Sequence, residues 1–135
     1  KMNLSNLSIF GLASDRMTWL AARQQVTSEN IANSATPSFQ ARDVTSFQSM
    51  LENRTSTDAG LVTTHANHIS GTSVSAPGIR EVNDSTATAA TLDGNTVNLE
   101  DQAIRSADIS DQYRMAAQLY RKSYDLLTMA VTGSR

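Results

Sequence analysis

Ser28-Glu29-Asn30-Ile31-Ala32-Asn33-Ser34-Ala35-Thr36-Pro37-Ser38-Phe39 closes a long apolar-periodic segment with a polar turn that carries a proline. Thr36 stands directly before Pro37, whose ring disfavours helical geometry in the preceding residue, so a helix is predicted to stop near Asn33. The stretch holds no nucleophile beside a base, no glycine-rich cradle and no ligand cluster. It reads as a structural joint, and it turns the reading of the chain away from enzymology.

Upstream of the joint, Phe10, Ala13, Met17, Leu20, Gln24, Thr27 and Ile31 recur at spacings of three and four, a heptad stripe. Leu12, Trp19 and Val26 form a second stripe beside it. A helix is predicted to begin between Leu4 and Ser8, where Asn3, Ser5 and Ser8 offer caps. At the far end, Ile109, Tyr113, Ala116, Tyr120, Ser123, Leu127 and Ala130 repeat the pattern, flanked by Met115, Leu119, Leu126 and Met129. Its start is marked by the turn pair Asp93-Gly94 and by Asn98 as N-cap, with Asp101 three residues on. Asp101 and Arg105 are spaced for an i,i+4 ion pair.

The segment between is polar. From Thr55 to Thr96 about a third of the residues are Ser or Thr, interrupted by Gly60, Gly71, Pro77 and Gly78. Val44, Phe47 and Leu51 suggest one short helical turn. Leu61-Val62-Thr63-Thr64 and Ile79-Arg80-Glu81-Val82 are strand candidates. Asp84 to Thr91 lacks large apolar residues and is expected to be flexible. The predicted fold is therefore mainly α. Long N- and C-terminal helices pair as a coiled-coil-like hairpin, with a polar, partly β or irregular middle. The expected divisions are 1–36, 37–97 and 98–135.

Composition narrows the function. Aromatic residues make up 5% of the chain and charged residues 18%, with a net charge of −2 and no basic stripe, so nucleic acid is not an expected partner. The absence of cysteine removes disulfides and thiolate metal sites. No run reaches the ~20 apolar residues of a membrane span. Polar residues from Asn3 to Asp15 break any secretory leader, so the default expectation is a cytosolic chain unless it is exported without a cleaved signal. His65-Ala66-Asn67-His68, with Asp58 or Glu81 nearby, is the one metal-like constellation. No third ligand, base or oxyanion motif accompanies it, so solvated loop histidines are the expectation, with no metal, no cofactor and no small-molecule substrate.

Each helix carries apolar residues beyond a single seam. A hairpin leaves such flanks in water, and contiguous exposed apolar patches mark interaction surfaces. Trp19, Val26, Leu119 and Leu126 are accordingly expected to face other copies or partners rather than the chain's own core. Gln24, Thr27 and Ser123 fall on the seams, where polar residues cost stability and can fix register.

Asn30-Ile31-Ala32-Asn33, followed by Thr36-Pro37-Ser38-Phe39 and Ala41-Arg42-Asp43, resembles the flagellar basal-body rod proteins, a family of bacterial axial proteins. Their long N-terminal helix ends in an Asn-Ile-Ala-Asn box and a Thr-Pro-Gly-Tyr-like turn. Asp93-Gly94-Asn95-Thr96-Val97, leading into the C-terminal helix, makes the match best to a proximal-rod member. The resemblance covers about residues 4–50 and 92–131. The sequence departs at Ser38, where the family commonly has Gly, and at Phe39, where it has Tyr. Serine tolerates positive φ poorly, so a different turn type is expected.

The resemblance implies a structural subunit without catalysis. Such a subunit is exported without a cleaved signal and assembles helically, with its own copies and other rod proteins, into a periplasm-spanning drive shaft and export conduit. It also implies contacts to a basal-body adaptor protein, a membrane ring protein and the export gate. A soluble helical adaptor, or a needle or inner-rod subunit of a type III secretion system, is the alternative. Needle subunits are usually shorter, and the turn box from Ala32 to Phe39 does not suit them.

Overall fold

A computed structural model of the chain describes residues 4–57 and 78–133. Two long helices dominate, α1 at Leu4–Ala32 and α3 at Leu99–Thr132. Between them lie strand β1 at Arg42–Val44, helix α2 at Phe47–Thr57 and strand β2 at Glu81–Asn83. The mainly helical expectation holds. Leu61–Thr64, Asp58, His65 and His68 lie outside the described residues.

α1 and α3 run antiparallel, and the polar and aromatic pairs along the seam fix their register. Phe10 packs on Tyr120 with ring centroids 4.4 Å apart. Arg16 donates to Gln112 at 2.8 Å, Gln24 to Ser106 at 2.8 Å and Asn30 to Gln102 at 3.1 Å. As the first partner advances along α1, the second retreats along α3. The buried line on α3 is Gln102, Ile109, Ala116 and Ser123, a strict heptad. Opposite it Ala13, Leu20 and Thr27 repeat at the same interval. Tyr113 and Ile31, expected on the seam, are instead exposed at its edge, and Gln102 extends the seam one heptad toward the joint. Thr27 satisfies its hydroxyl on the Arg23 carbonyl at 2.8 Å, so it sits in the seam without an orphan donor.

The starts and stops have local causes. Asn98 caps α3, accepting on Oδ1 from the amides of Glu100 at 3.0 Å and Asp101 at 3.3 Å. Glu100 and Asp101 place negative charge at the positive end of the helix dipole. α1 ends at Ala32, where the amide of Asn33 still reaches Glu29 and the amide of Ser34 turns back to Ile31.

The middle segment differs from its expected form. Val44 ends a strand instead of starting a helical turn, and β1 pairs antiparallel with β2 in the register Arg42↔Asn83, Asp43↔Val82, Val44↔Glu81. β2 begins two residues later than the Ile79–Val82 candidate, because Ile79 is drawn into the core at 5% exposure. These strands pack on a flank of α1 beside the seam, in one core with Leu20, Ile109 and Ala116. The core there joins Trp19, Ala22 and Val26 of α1 to Val44, Met50 and Ile79.

That packing overturns the outward placement of Trp19 and Val26. They are 7% and 1% exposed, inside the chain's own core. The physical reason is specific. Trp19 donates its indole N–H to the Thr45 carbonyl at 2.7 Å, and its ring meets Phe47 edge-on at 6.0 Å. The Arg16 guanidinium lies over both rings, 4.7 Å from Trp19 and 5.0 Å from Phe47. Leu119 and Leu126 remain exposed, at 45% and 44%.

Candidate functional site

The two sequence boxes, some sixty residues apart, form one joint at the closed end of the hairpin. Asn30, fully buried, behaves like a strand neighbour of Arg42: its Nδ2 donates to the Arg42 carbonyl at 2.7 Å and its Oδ1 accepts from the Arg42 amide at 3.0 Å. The same Nδ2 reaches Gln102 on α3. One side chain therefore ties α1, β1 and α3 together. Ile31 and Ala32, next to it in the chain, stand exposed.

Asn33 carries the turn. Its Nδ2 caps the Glu29 carbonyl at 2.8 Å, and its Oδ1 accepts from the Thr36 hydroxyl at 3.1 Å. The Thr36 amide donates to the Asn33 carbonyl at 3.0 Å, and the Phe39 amide to the Thr36 carbonyl at 3.3 Å. Pro37 is exposed and donates nothing, which suits the tip of such a turn.

The second box closes over the first. Asn95 is 2% exposed, and its Nδ2 donates to the carbonyls of Asn33 at 2.9 Å, Ser34 at 3.1 Å and Thr36 at 2.7 Å. Its Oδ1 accepts from the Val97 amide at 2.7 Å. The Ser38 amide donates to the Asp93 carbonyl at 2.8 Å, and the Thr96 amide to the Phe39 carbonyl at 3.0 Å.

Ser38 adopts φ 61°. The turn thus keeps the left-handed residue that glycine usually supplies, against the expectation of a changed turn type. The Ser38 hydroxyl, which lies 3.3 Å from the Asp93 carbonyl, offsets part of that strain. Gly94, at φ 82°, stands so close that a Cβ there would meet the Ser38 hydroxyl oxygen at 3.4 Å.

A charged cluster supports the joint from beneath. Arg23 binds Asp43 through two hydrogen bonds of 3.1 and 3.2 Å. Arg105 donates to Asp84 at 2.8 Å and lies 3.7 Å from Asp43. The expected Asp101–Arg105 pair gives way to this longer-range one, because Asp84 is buried and offers a desolvated partner. Asp84 is also why the Asp84–Thr91 stretch is anchored at its start: its carboxylate accepts from both the amide and the hydroxyl of Thr86. Burial pushes the Asp84 carboxyl up, and the donations of Thr86 and Arg105 outweigh it and hold it below its ordinary 3.8.

This constellation can position and lock. Its asparagine amides bond mostly to backbone carbonyls, and the carboxylates of Asp43 and Asp84 bond to arginines. Among the described residues no three metal-ligating side chains gather, and no helix is long and apolar enough to cross a membrane. Sequence reading found the box asparagines and missed Gln102, Arg23, Asp84 and Arg105. The heptad through Ile109, Ala116 and Ser123 signals Gln102; the charged cluster has no local signal.

No family model matches the chain. Curated relatives do. "Flagellar basal body rod protein FlgB" of Salmonella typhimurium is 36% identical over 101 residues, 70% of this chain and 72% of the relative. The protein of that name from Agrobacterium fabrum is 29% identical over 130 residues, 96% of each chain. The one from Aeromonas hydrophila is 29% identical over 134 residues, 99% of this chain and 100% of the relative.

Proposed function

The chain belongs to the flagellar basal body rod protein FlgB family, and from that premise we propose that it is a structural subunit of the proximal rod. In this reading it assembles with copies of itself and with other rod proteins into a shaft across the periplasm. A membrane ring protein, a basal-body adaptor protein and the export gate are its neighbours at the base, and it reaches the rod without a cleaved signal. It transmits torque and lines a conduit; it performs no reaction.

The observation that supports this best is the coupling of the two boxes. Asn95 fastens the turn of Asn33 to Thr36, so the hairpin angle is fixed by buried hydrogen bonds within one chain. A load-bearing shaft needs a subunit whose two long helices do not slide, and polar pairs at Asn30–Gln102 and Gln24–Ser106 pin their register. The exposed apolar residues of α3, Met115, Leu119, Leu126 and Met129, lie on the side left open. They are the surface for neighbouring subunits, the role that Trp19 and Val26 do not have.

The test is complementation. A strain lacking the gene is expected to be non-motile and to lack rods in isolated basal bodies, and the chain supplied in trans restores both. Normal swimming of the deletion strain would overturn the reading.

A further inference from the structure

Leu92 is fully exposed at the tip of the loop beside Ser34, next to Asp93. An isolated exposed leucine is ordinary. This one has a matching feature on the same molecule. Between α1 and α3, toward the open end of the hairpin, Met17, Ala117, Tyr120 and Tyr124 line a groove whose wall is mostly apolar. Ala117 leaves its floor low, and Arg114 and Arg121, one heptad apart, rim it. Both arginines are exposed, and among the described residues neither takes part in an ion pair.

The charges are complementary. The leucine tip carries Asp93, and the adjoining first turn of α3 presents Glu100 and Asp101, all exposed. Hydrogen bonds from the Thr91 hydroxyl and the Asn95 amide hold the Asp93 carboxyl below its ordinary 3.8, so it is ionised at neutral pH. Tip and groove cannot meet within one chain. From Leu99 to Ala117 the helix climbs about 27 Å at its usual rise per residue.

We propose that Leu92 of one copy docks in the Met17–Ala117–Tyr124 groove of a second copy, with its acidic tip held by Arg114 and Arg121. The inference rests on the rod-subunit reading and adds to it a specific contact. The knob and the groove are different surfaces, so the contact is heterologous. Repeated, it builds a ring or an open helical array, not a closed two-fold dimer. The carboxylate–arginine rim steers the approach and makes it salt-dependent.

The chain contains no cysteine, which makes a direct test simple. Purified Leu92→Cys chain is mixed with Ala117→Cys chain of distinct tag, and the mixture is oxidised at rising concentration while sedimentation follows association. Both positions tolerate a small side chain, and far-ultraviolet circular dichroism checks that each variant is folded. The expected result is a cross-linked heterodimer, formed several-fold more than with a partner carrying Ala107→Cys, an exposed α3 position outside both the groove and the apolar face, and suppressed by raised salt. Chains that associate without this cross-link overturn the docking and leave the rod reading standing. Chains that remain monomeric at every concentration remove the docking and weaken the self-assembly behind it.

Discussion

Asn95 donates from Nδ2 to the Thr36 carbonyl at 2.7 Å, so a side chain just ahead of α3 holds the turn that ends α1. Two further carbonyls, of Asn33 and Ser34, share that amide. In Asn95→Ala the Ser34 carbonyl loses its donor and the Val97 amide its acceptor, while the carbonyls of Asn33 and Thr36 keep only the backbone amides of Thr36 and Phe39. At the usual cost of a buried unsatisfied group the variant loses about 3 kcal/mol. Urea unfolding followed by circular dichroism measures it. Asn95→Asp fails similarly, since a carboxylate offers the three carbonyls no donor. A change near zero in both would mean that the joint does not carry the hairpin.

Trp19 and Leu119 separate the inner and outer apolar faces. Trp19→Ala opens a cavity among Val26, Val44, Met50 and Ile79 and strands the Thr45 carbonyl. Its expected cost is about 3–5 kcal/mol. Leu119→Ala, at an exposed site, stays within about 0.5 kcal/mol. Denaturant titration of the two purified variants gives the comparison. Equal costs would contradict the division of faces.

The pH dependence has a definite sign. Asp84 is held below its ordinary 3.8 in the fold. A carboxyl lowered by folding adds stability that is complete above its unfolded value and lost as pH falls through the folded one. Unfolding midpoints therefore drop as pH falls below the ordinary 3.8 of Asp84. Glu81 has the opposite sign. Burial raises it above 4.5, Arg42 pulls it back and Glu29 raises it further. Its contribution is present in acid and declines as pH rises. Asp84→Asn is expected to cost about 2 kcal/mol at neutral pH, because Arg105 loses a buried anion. It should also flatten the acid loss; an unchanged acid slope would assign that loss to other carboxyls.

Ser38 offers a gain. A non-glycine residue in the left-handed region costs about 1–2 kcal/mol, and glycine returns about 0.5–1 kcal/mol of that as unfolded-chain entropy. Ser38→Gly is expected to stabilise by about 0.5 kcal/mol. Gly94→Ala, at φ 82° and against Ser38, loses about 1 kcal/mol or more. Thermal melts of both variants read the two signs directly.

The helices were legible in the sequence because their signals are local: the heptads, the Asn98 cap and the Pro37 turn each lie within a few residues of what they specify. The middle was not. β1 and β2 are three residues each, too short for alternation to show. The burial of Trp19 depends on Thr45, Phe47 and Ile79, the last sixty positions away. Periodicity places Trp19 on a flank without saying what covers the flank. Arg105 likewise had an eligible partner one helical turn away in Asp101, and the buried Asp84 outcompeted it. The joint was half legible: its residue types were evident, and the pairing of Asn95 with the Asn33 turn needed the fold.

Leu126 lies 44% exposed on α3, within the apolar face assigned to neighbouring subunits. Leu126→Asp therefore gives the most direct measurement: its incorporation into isolated basal bodies, alongside the melt of the purified chain and detection of the exported subunit. The melt should stay within about 0.5 kcal/mol of the parent, and export should persist. Incorporation and swimming should be lost, because a charge buried unpaired in an interface is costly. A Leu126→Asp chain found in basal bodies at the parent level, in cells that swim normally, would contradict the assignment of this face to assembly.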